Sequence, residues 1–288
     1  MHTDPHTHVA TVSDLLKEMA NELRDTSPSA RLDAELLLGH VLRKNRTELF
    51  THGDAKVDPE QSAVFVNLVH RRQEGRPVAQ LVGEREFWSM KLAVTHETLV
   101  PRHETEILVG CALTHLPKDQ AANVLDLGTG SGAVALAIAK ERPDVAVTAT
   151  DVSADALRVA RYNAHSLGLT QVNFKQGDWF SAVRESKFSM ITANPPYVTD
   201  MEMIVHDFEL RHEPKLALAG GDDGLQAIKQ IINDAPKHLF PGGWLAIEHG
   251  HRQGPAVEIL MRDAGLWSIF GYTDLQGHVR VTEGKLRE

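Results

Sequence analysis

The sequence predicts an α/β protein: a doubly wound parallel sheet, preceded by a small all-helical domain and a linking β-hairpin. Three observations predict it. From Asn123 onward, short apolar runs alternate with stretches of helical periodicity, as parallel strands joined by crossover helices require. The first run ends in a glycine-rich turn, Gly128-Thr129-Gly130-Ser131-Gly132, that opens a helix. Before residue 76, apolar residues recur only at helical spacing, with no strand signal between them.

The helical part opens with a tail to about residue 10, expected to fray. Val12, Leu15, Leu16, Met19, Ala20 and Leu23 form one stripe, with Ser13 as a cap. Leu32, Leu36, Leu37, Val41 and Leu42 give a helix over Ala30 to Leu42. Asp58-Pro59 starts a third helix, whose stripe is Val64, Phe65, Leu68 and Val69. Gly75 and Pro77 mark its exit. The alternation from Val78 to Trp88, followed by Leu92 to Val94, predicts the hairpin. The expected domains are therefore residues 1–75, a hairpin linker over 76–100, and a catalytic domain over 101–288.

The catalytic domain begins with a helix from about Thr105 to Leu116. Strands follow at Val124 to Leu127, Val145 to Thr150, Val172 to Lys175, Phe188 to Ile191 and Gly243 to Glu248. Helices are expected at Ala133 to Ala139, Ala154 to Leu167, Leu225 to Leu239 and Ala256 to Ala264. Ser268 to Asp274 and His278 to Thr282 read as a terminal antiparallel pair, completing seven strands.

Composition removes several classes of function. The net charge of −9 disfavours a grip on long nucleic acid through its phosphates. No apolar run reaches membrane-spanning length, and no signal core is present, so a cytoplasmic protein is expected. One cysteine, Cys111, allows no internal disulfide. Sixteen histidines invite a metal search, but there is no His-Glu-x-x-His and no Cys/His pairing at zinc spacing, so no metal is expected.

The chemistry gathers at strand ends, where open α/β sheets bind ligands. The turn Gly128-x-Gly130-x-Gly132 lets a ligand approach the backbone, but Ala133 stands where the dinucleotide fingerprint needs glycine. Asp151 ends the second strand, where a carboxylate can accept both ribose hydroxyls. Asp178-Trp179 ends the third, where an indole can stack on a purine. Taken singly, Asp151 is equally a helix cap and Trp179 a core aromatic. Asn194-Pro195-Pro196-Tyr197 ends the fourth. Two prolines stiffen the turn, and the Asn194 carboxamide, a proline carbonyl and the Tyr197 ring suit a planar –NH2 group. Four consecutive strand ends so equipped describe an adenosine with its reactive end toward Asn194. S-adenosylmethionine fits, because no G-K-[ST] loop is present to hold a triphosphate.

These residues closely resemble the HemK/PrmC protein-glutamine methyltransferases over nearly the whole chain. The resemblance rests on Gly83-x-x-Glu86-Phe87-Trp88, Pro101-Arg102-x-Glu104-Thr105-Glu106, Val124 to Gly132, Gly177 to Phe180, Asn194 to Tyr197 and Glu248-His249-Gly250. One departure is His103, where the arginine-led loop of the family often has a second proline. The resemblance implies a seven-stranded class I S-adenosylmethionine-dependent methyltransferase domain. It implies methylation of the glutamine in the Gly-Gly-Gln motif of peptide-chain release factors, supporting translation termination. Gly128, Thr129, Gly130, Ser131, Gly132, Asp151, Trp179 and Asn194 would hold the cofactor. Asn194, Pro195, Pro196 and Tyr197 would hold the glutamine, with Asn194, Pro195 and Tyr197 catalytic. Residues 1–75 would dock the release factor, and the chain would act as a monomer without membrane or nucleic acid. Rival readings are glutamine methylation of a ribosomal protein, amino-group methylation of a nucleic-acid base, and a nucleotide-binding regulatory module without turnover. The base-methylation reading lacks a basic, aromatic-rich recognition domain.

Overall fold

The computed structural model describes residues 10–117 and 121–287, so most of the expected N-terminal tail lies outside the described residues. The chain divides into two compact units. One runs to Gly83 and takes in Phe208–His212; the other comprises Glu84–Asp207 and Glu213–Glu288.

The first unit is helical throughout. It contains α1 (Val12–Glu22), α2 (Ala30–Leu42), α3 (Arg46–Thr51), α4 (Pro59–Gln73) and α5 (Val78–Val82). The cap of α1 is Thr11 rather than Ser13: Thr11 and Asp14 bond each other's backbone N–H groups reciprocally. Within the expected stripes, Leu32, Leu36 and Val64 are exposed while Leu37, Phe65, Leu68 and Val69 are buried; Ala34 and Leu38, outside those stripes, join the core. The stretch Val78–Val82, read as strand from its alternation, is a one-turn helix. Pro77 precedes it, and Gly83 closes it at φ +84°. Five residues are too few to separate the two periods. A buried ion pair that no periodicity reveals ties the unit together. Asp33 accepts from Arg72 Nε at 2.7 Å, Ser27 Oγ at 2.8 Å and Ser29 Oγ at 2.9 Å.

The second unit begins with the hairpin β1 (Glu84–Phe87) and β2 (Met90–Ala93), shorter than expected. A single turn over His103–Thr105 leads into α6 (Glu106–His115). Then come β3 (Asn123–Leu127), α7 (Ala133–Glu141), β4 (Ala146–Asp151), α8 (Ala154–Ser166), β5 (Asn173–Gln176) and β6 (Phe188–Ala193). Two short helices, α9 (Asp200–Val205) and α10 (Asp207–Leu210), were not foreseen; all of α10 beyond Asp207 belongs to the first unit. They precede α11 (Gln226–His238), β7 (Leu239–Glu248), α12 (Gly254–Asp263), β8 (Leu266–Thr273) and β9 (Val279–Leu286).

The seven strands β3–β9 lie in the order β5-β4-β3-β6-β7-β9-β8. The first five in that order are parallel, and β9 pairs antiparallel with both neighbours. Alternate residues feed two cores. Val124, Met190 and Ala246 face one cluster with α6 and α7, whereas Leu125, Ile191 and Ile247 face the other with α11 and α12. The chain moves outward from β3 to β4 and β5, then returns to the other side of β3 with β6. That reversal opens a crevice at the carboxyl ends of β3 and β6.

Asn163 on α8 clamps this arrangement and was not singled out by sequence. It is buried; its Oδ1 accepts from Ala93 N at 2.7 Å, and its Nδ2 donates to Ala93 O at 3.1 Å and Ser131 O at 2.9 Å. One side chain thus joins hairpin, helix and glycine turn. Asn163→Ala should cost about 2–4 kcal/mol, since it also strands a buried N–H and two carbonyls. Urea denaturation checks this; a loss below about 1 kcal/mol would mean the clamp carries no stability.

Candidate active site

The glycine turn follows β3 directly, and Gly128, Gly130 and Gly132 all take positive φ (67°, 56° and 87°). A Cβ on Gly128 would lie 3.4 Å from the Trp179 ring, while one on Gly130 would meet nothing within 4 Å. The turn therefore offers bare backbone toward open space, with the indole beside it. Backbone bonds fix its path: Thr129 N donates to Thr150 O at 2.9 Å, and Gly132 N to Thr129 O at 2.8 Å.

Asp151, at the end of β4, is buried and grips the same turn. Its Oδ2 accepts from Gly130 N and its Oδ1 from Ser153 N, both at 2.9 Å. Each oxygen keeps a further lone pair for a ligand hydroxyl. The cap of α8 is Ser153, not Asp151, so the helix-cap alternative for Asp151 does not hold. Burial raises the Asp151 carboxyl above its ordinary range, against the pull of those backbone N–H groups. Trp179 stands at φ +44°, with its carbonyl accepting from Thr150 Oγ1 at 3.3 Å. This left-handed backbone turns the chain sharply after β5.

Asp126 lies behind the turn on β3 and carries a charge that sequence reading passed over. It is 2% exposed and accepts from Thr129 Oγ1 at 2.6 Å and Thr192 Oγ1 at 2.9 Å. Its carboxylate thus links the ends of β3 and β6. Burial lifts its pKa to about 6, with the nearby Asp151 adding to the rise.

The Asn194-Pro195-Pro196-Tyr197 turn follows β6. Asn194 Nδ2 donates to Thr105 Oγ1 at 3.2 Å, which leaves Oδ1 as the free acceptor of the amide. Among the described residues, no backbone N–H reaches the Pro195 carbonyl. Pro195 is buried, and Pro196 and Tyr197 are half-buried. The Tyr197 hydroxyl donates to Glu248 Oε1, at the end of β7, at 3.4 Å.

A second loop holds the turn from outside. Val198 N donates to Leu218 O and Gly220 N to Val198 O, at 2.9 and 2.8 Å. Gln253 Nε2 donates to Tyr197 O at 3.1 Å. A Cβ on Gly224, at φ +70°, would come within 2.3 Å of Tyr197 O, so only glycine fits. The cluster Gly220-Gly221-x-x-Gly224 was the available signal for this loop, and it was missed.

The crevice thus brings together Gly128–Gly132, Asp151 and Trp179, while the adjoining β6 end carries Asn194–Tyr197. One other cluster of ligand-type side chains occurs among the described residues: Cys111, His115 and Glu283, with ligand atoms within 4.8 Å. Glu283 accepts from Cys111 Sγ at 2.8 Å, His115 Nε2 at 2.7 Å and the Tyr272 hydroxyl at 3.2 Å. Three donors satisfy this buried carboxylate without an ion. Burial and Glu283 hold the thiol well above its ordinary range, which makes it a poor ligand.

Numbered from β3 in chain order, the strands run 3-2-1-4-5-7-6 across the sheet, with the site at their carboxyl ends. This is the class I methyltransferase fold. A methyltransferase from Pyrococcus furiosus shares it at a TM-score of 0.53 and 20% identity, over 69% of this chain and 90% of that one. Residues 105–220 match the family model "Methyltransferase small domain", and residues 14–83 match "PrmC N-terminal domain". A release factor glutamine methyltransferase of Coxiella burnetii is 43% identical over 271 residues, 94% of this chain and 97% of that protein. Its Escherichia coli counterpart is 41% identical over 270 residues, again 94% and 97%. The chain belongs to the release factor glutamine methyltransferase family. No helix among the described residues is long and apolar enough to cross a membrane.

The Asp126 charge generates a stability prediction. Its folded pKa, about 6, lies above the ordinary 3.8, so between those values the folded state binds more protons than the unfolded one. Stability from this group therefore falls as pH rises through that window, then levels off. Asp126→Asn should remove up to about 3 kcal/mol of the total fall across that window in denaturation series at stepped pH. An unchanged slope would mean that Asp126 does not carry the buried charge.

Proposed function

We propose that this protein transfers a methyl group from S-adenosylmethionine to the side-chain amide nitrogen of the Gly-Gly-Gln glutamine in peptide-chain release factors. The observation that carries this reading is the Asn194–Tyr197 turn, held rigid beside a crevice suited to adenosine. Membership of the family supplies the substrate.

Three features of the crevice support S-adenosylmethionine as its ligand. The open space over Gly130 and the indole beside Gly128 let a ligand approach bare backbone there. The remaining lone pairs of Asp151 suit the ribose hydroxyls, and Trp179 offers a face for the purine. Gly128, Thr129, Gly130, Ser131 and Gly132 would line the approach, with Asn194 at the reactive end. S-adenosylmethionine supplies an electrophilic methyl group there.

The remaining task is to make an amide nitrogen react. Its lone pair is delocalised into the carbonyl, so the nitrogen is a poor nucleophile. The Asn194 Oδ1 and the Pro195 carbonyl, both free acceptors, would take its two hydrogens and aim the nitrogen at the methyl carbon. Pro196 and Tyr197 would flank the amide plane. Alignment of this kind supplies on the order of 7 kcal/mol or more. The same oxygens would stabilise positive charge as it develops on nitrogen; as the N–C bond forms the methyl–sulfur bond would break with its electron pair on sulfur, and the nitrogen would shed one of its two protons to solvent.

The turn reads one amide and cannot by itself distinguish one surface glutamine from another. We assign that selectivity to the helical unit, which carries none of the turn's groups and matches the PrmC N-terminal domain model. On this reading residues 1–75 dock the release factor, 76–100 form the linker and 101–288 carry out methyl transfer.

The deciding experiment is incubation of the protein with labelled S-adenosylmethionine and purified release factor, followed by mapping of the label. Label on the Gly-Gly-Gln glutamine is expected; label elsewhere, or on nucleic acid alone, overturns the reading. Asn194→Ala should lower methyl transfer by on the order of 10²–10³ while cofactor affinity stays within about tenfold. Asp151→Ala should weaken S-adenosylmethionine binding by about 1.5–3 kcal/mol in calorimetry, the scale of a hydrogen bond to a charge. Unchanged affinity would place the ribose elsewhere.

A further inference from the structure

The buried carboxylate at the end of β7 has no role in the chemistry above. Glu248 is 1% exposed, and among the described residues its Oε2 has no hydrogen-bond partner. Its Oε1 takes the Tyr197 hydroxyl at 3.4 Å. The Thr105 hydroxyl faces the same carboxylate and favours its charged form. Thr105 Oγ1 in turn accepts from Asn194 Nδ2 at 3.2 Å. One carboxylate therefore stands behind both ends of the active turn, touching Tyr197 directly and Asn194 through Thr105.

We propose that Glu248, as a carboxylate, is a positioning residue that orients the Asn194 amide and the Tyr197 ring for methyl transfer. The inference rests on the glutamine-methylation reading. An ionised carboxylate can accept from two hydroxyls; here the Tyr197 hydroxyl bonds Oε1, and the Thr105 hydroxyl faces the same group. When the Thr105 hydrogen points to Glu248, the Thr105 lone pairs face Asn194 and select its NH2 group, so that Oδ1 is presented outward. Protonation turns one carboxyl oxygen into a donor. Once that donor is aimed at Thr105 Oγ1, the Thr105 hydrogen turns toward Asn194 and no longer selects its NH2 group.

The surroundings place this switch near neutrality. Glu104, in the turn before α6, opposes the charge, while Arg280 on β9 supports it. Arg280 is itself tied to Asp274, at 2.8 Å. Arg102 faces Tyr197 and is paired with Glu213. His249, next on the chain, is held toward its neutral form by burial and bonds Thr282 Oγ1 at 2.8 Å. Burial outweighs the supporting groups and lifts Glu248 to about 7. Activity that needs the carboxylate should therefore rise with pH through about 7. Stability should move the other way. The folded pKa lies above the ordinary 4.5, so stability falls as pH rises from there to about 7.

The test uses full-length wild type, Glu248→Gln, Tyr197→Phe and the double variant. Single-turnover methylation of release factor is followed from about pH 6 to about pH 8, with cofactor affinity measured in parallel. The wild-type rate should rise to a plateau. Glu248→Gln should be slower by roughly tenfold or more, without the pH step and with cofactor affinity unchanged. The effects of Glu248→Gln and Tyr197→Phe should be less than additive, because both cut the same link. A wild-type rate and pH step in Glu248→Gln overturns the proposal, as does a loss explained wholly by weaker cofactor binding. Should Glu248→Gln fail to fold, Tyr197→Phe decides: a slower rate with unchanged cofactor affinity supports the proposal, and a wild-type rate overturns it. A wild-type protein that leaves release factor unmethylated overturns the functional reading, and this inference with it.

Discussion

Two consecutive prolines after a buried parallel strand impose the constraint on which this site depends. Neither residue has an N–H, so the chain leaves the ladder at Asn194 and its carbonyls find no backbone donor along the turn. Such a turn is stiff internally but poorly anchored by its own backbone. Its anchors come from elsewhere in the chain: Thr105 on Asn194, Glu248 on the Tyr197 hydroxyl, and Gln253 on the Tyr197 carbonyl. The bridge between Val198 and Ala219 draws in the glycine loop as well. These anchors lie between 51 and 89 residues away in sequence, so the turn is only as well placed as the whole sheet.

The same edge collects negative charge. Asp126, Asp151 and Glu248 end three strands, and burial raises the pKa of all three. Desolvation disfavours each anion by itself, and each is retained through hydroxyl or backbone donors. Asp126 has two threonine hydroxyls, and Asp151 has two backbone N–H groups. Glu248 is the least well satisfied, with one oxygen unpartnered. A carboxylate left in that state contributes less to stability than a well-packed apolar residue would. What its other oxygen keeps is the bond from the Tyr197 hydroxyl.

Much of this was legible in sequence because it is periodic or local. The strands β3, β4 and β6 are short apolar runs bounded by glycine, aspartate or proline, and periodicity finds them. Gly128–Gly132 and Asn194–Tyr197 are contiguous, so their chemistry can be read off the chain. Val78–Val82 failed because five residues with a polar one in the middle satisfy both helical and strand periods. Ser13 failed as a cap because cap geometry depends on which hydroxyl meets the third N–H, and Thr11 does so. Asn163, Thr105, Gln253 and Gly224 carry no periodic signal; their partners are distant and become evident only when the sheet is assembled. Asp126 was in view within an apolar strand, yet its charge acquires meaning only from Thr192 on the neighbouring strand.

The terminal hairpin shows how topology creates chemistry here. Without β9, β7 would be an edge strand and Glu248 a solvated acid of ordinary pKa. Strand β9 pairs Val281 with Glu248 and Thr282 with Ile247, closing that edge. It also brings the Arg280 carbonyl to His249 N at 2.9 Å and the Thr282 hydroxyl to the His249 ring. Strand β9 therefore does more than extend the sheet, since it removes water from a carboxylate that faces the Asn194–Tyr197 turn. A segment at the end of the chain thereby raises the pKa of a carboxylate that bonds the Tyr197 hydroxyl. For this reason the antiparallel pair at the end of the chain belongs to the account of function as much as the glycine turn at its centre.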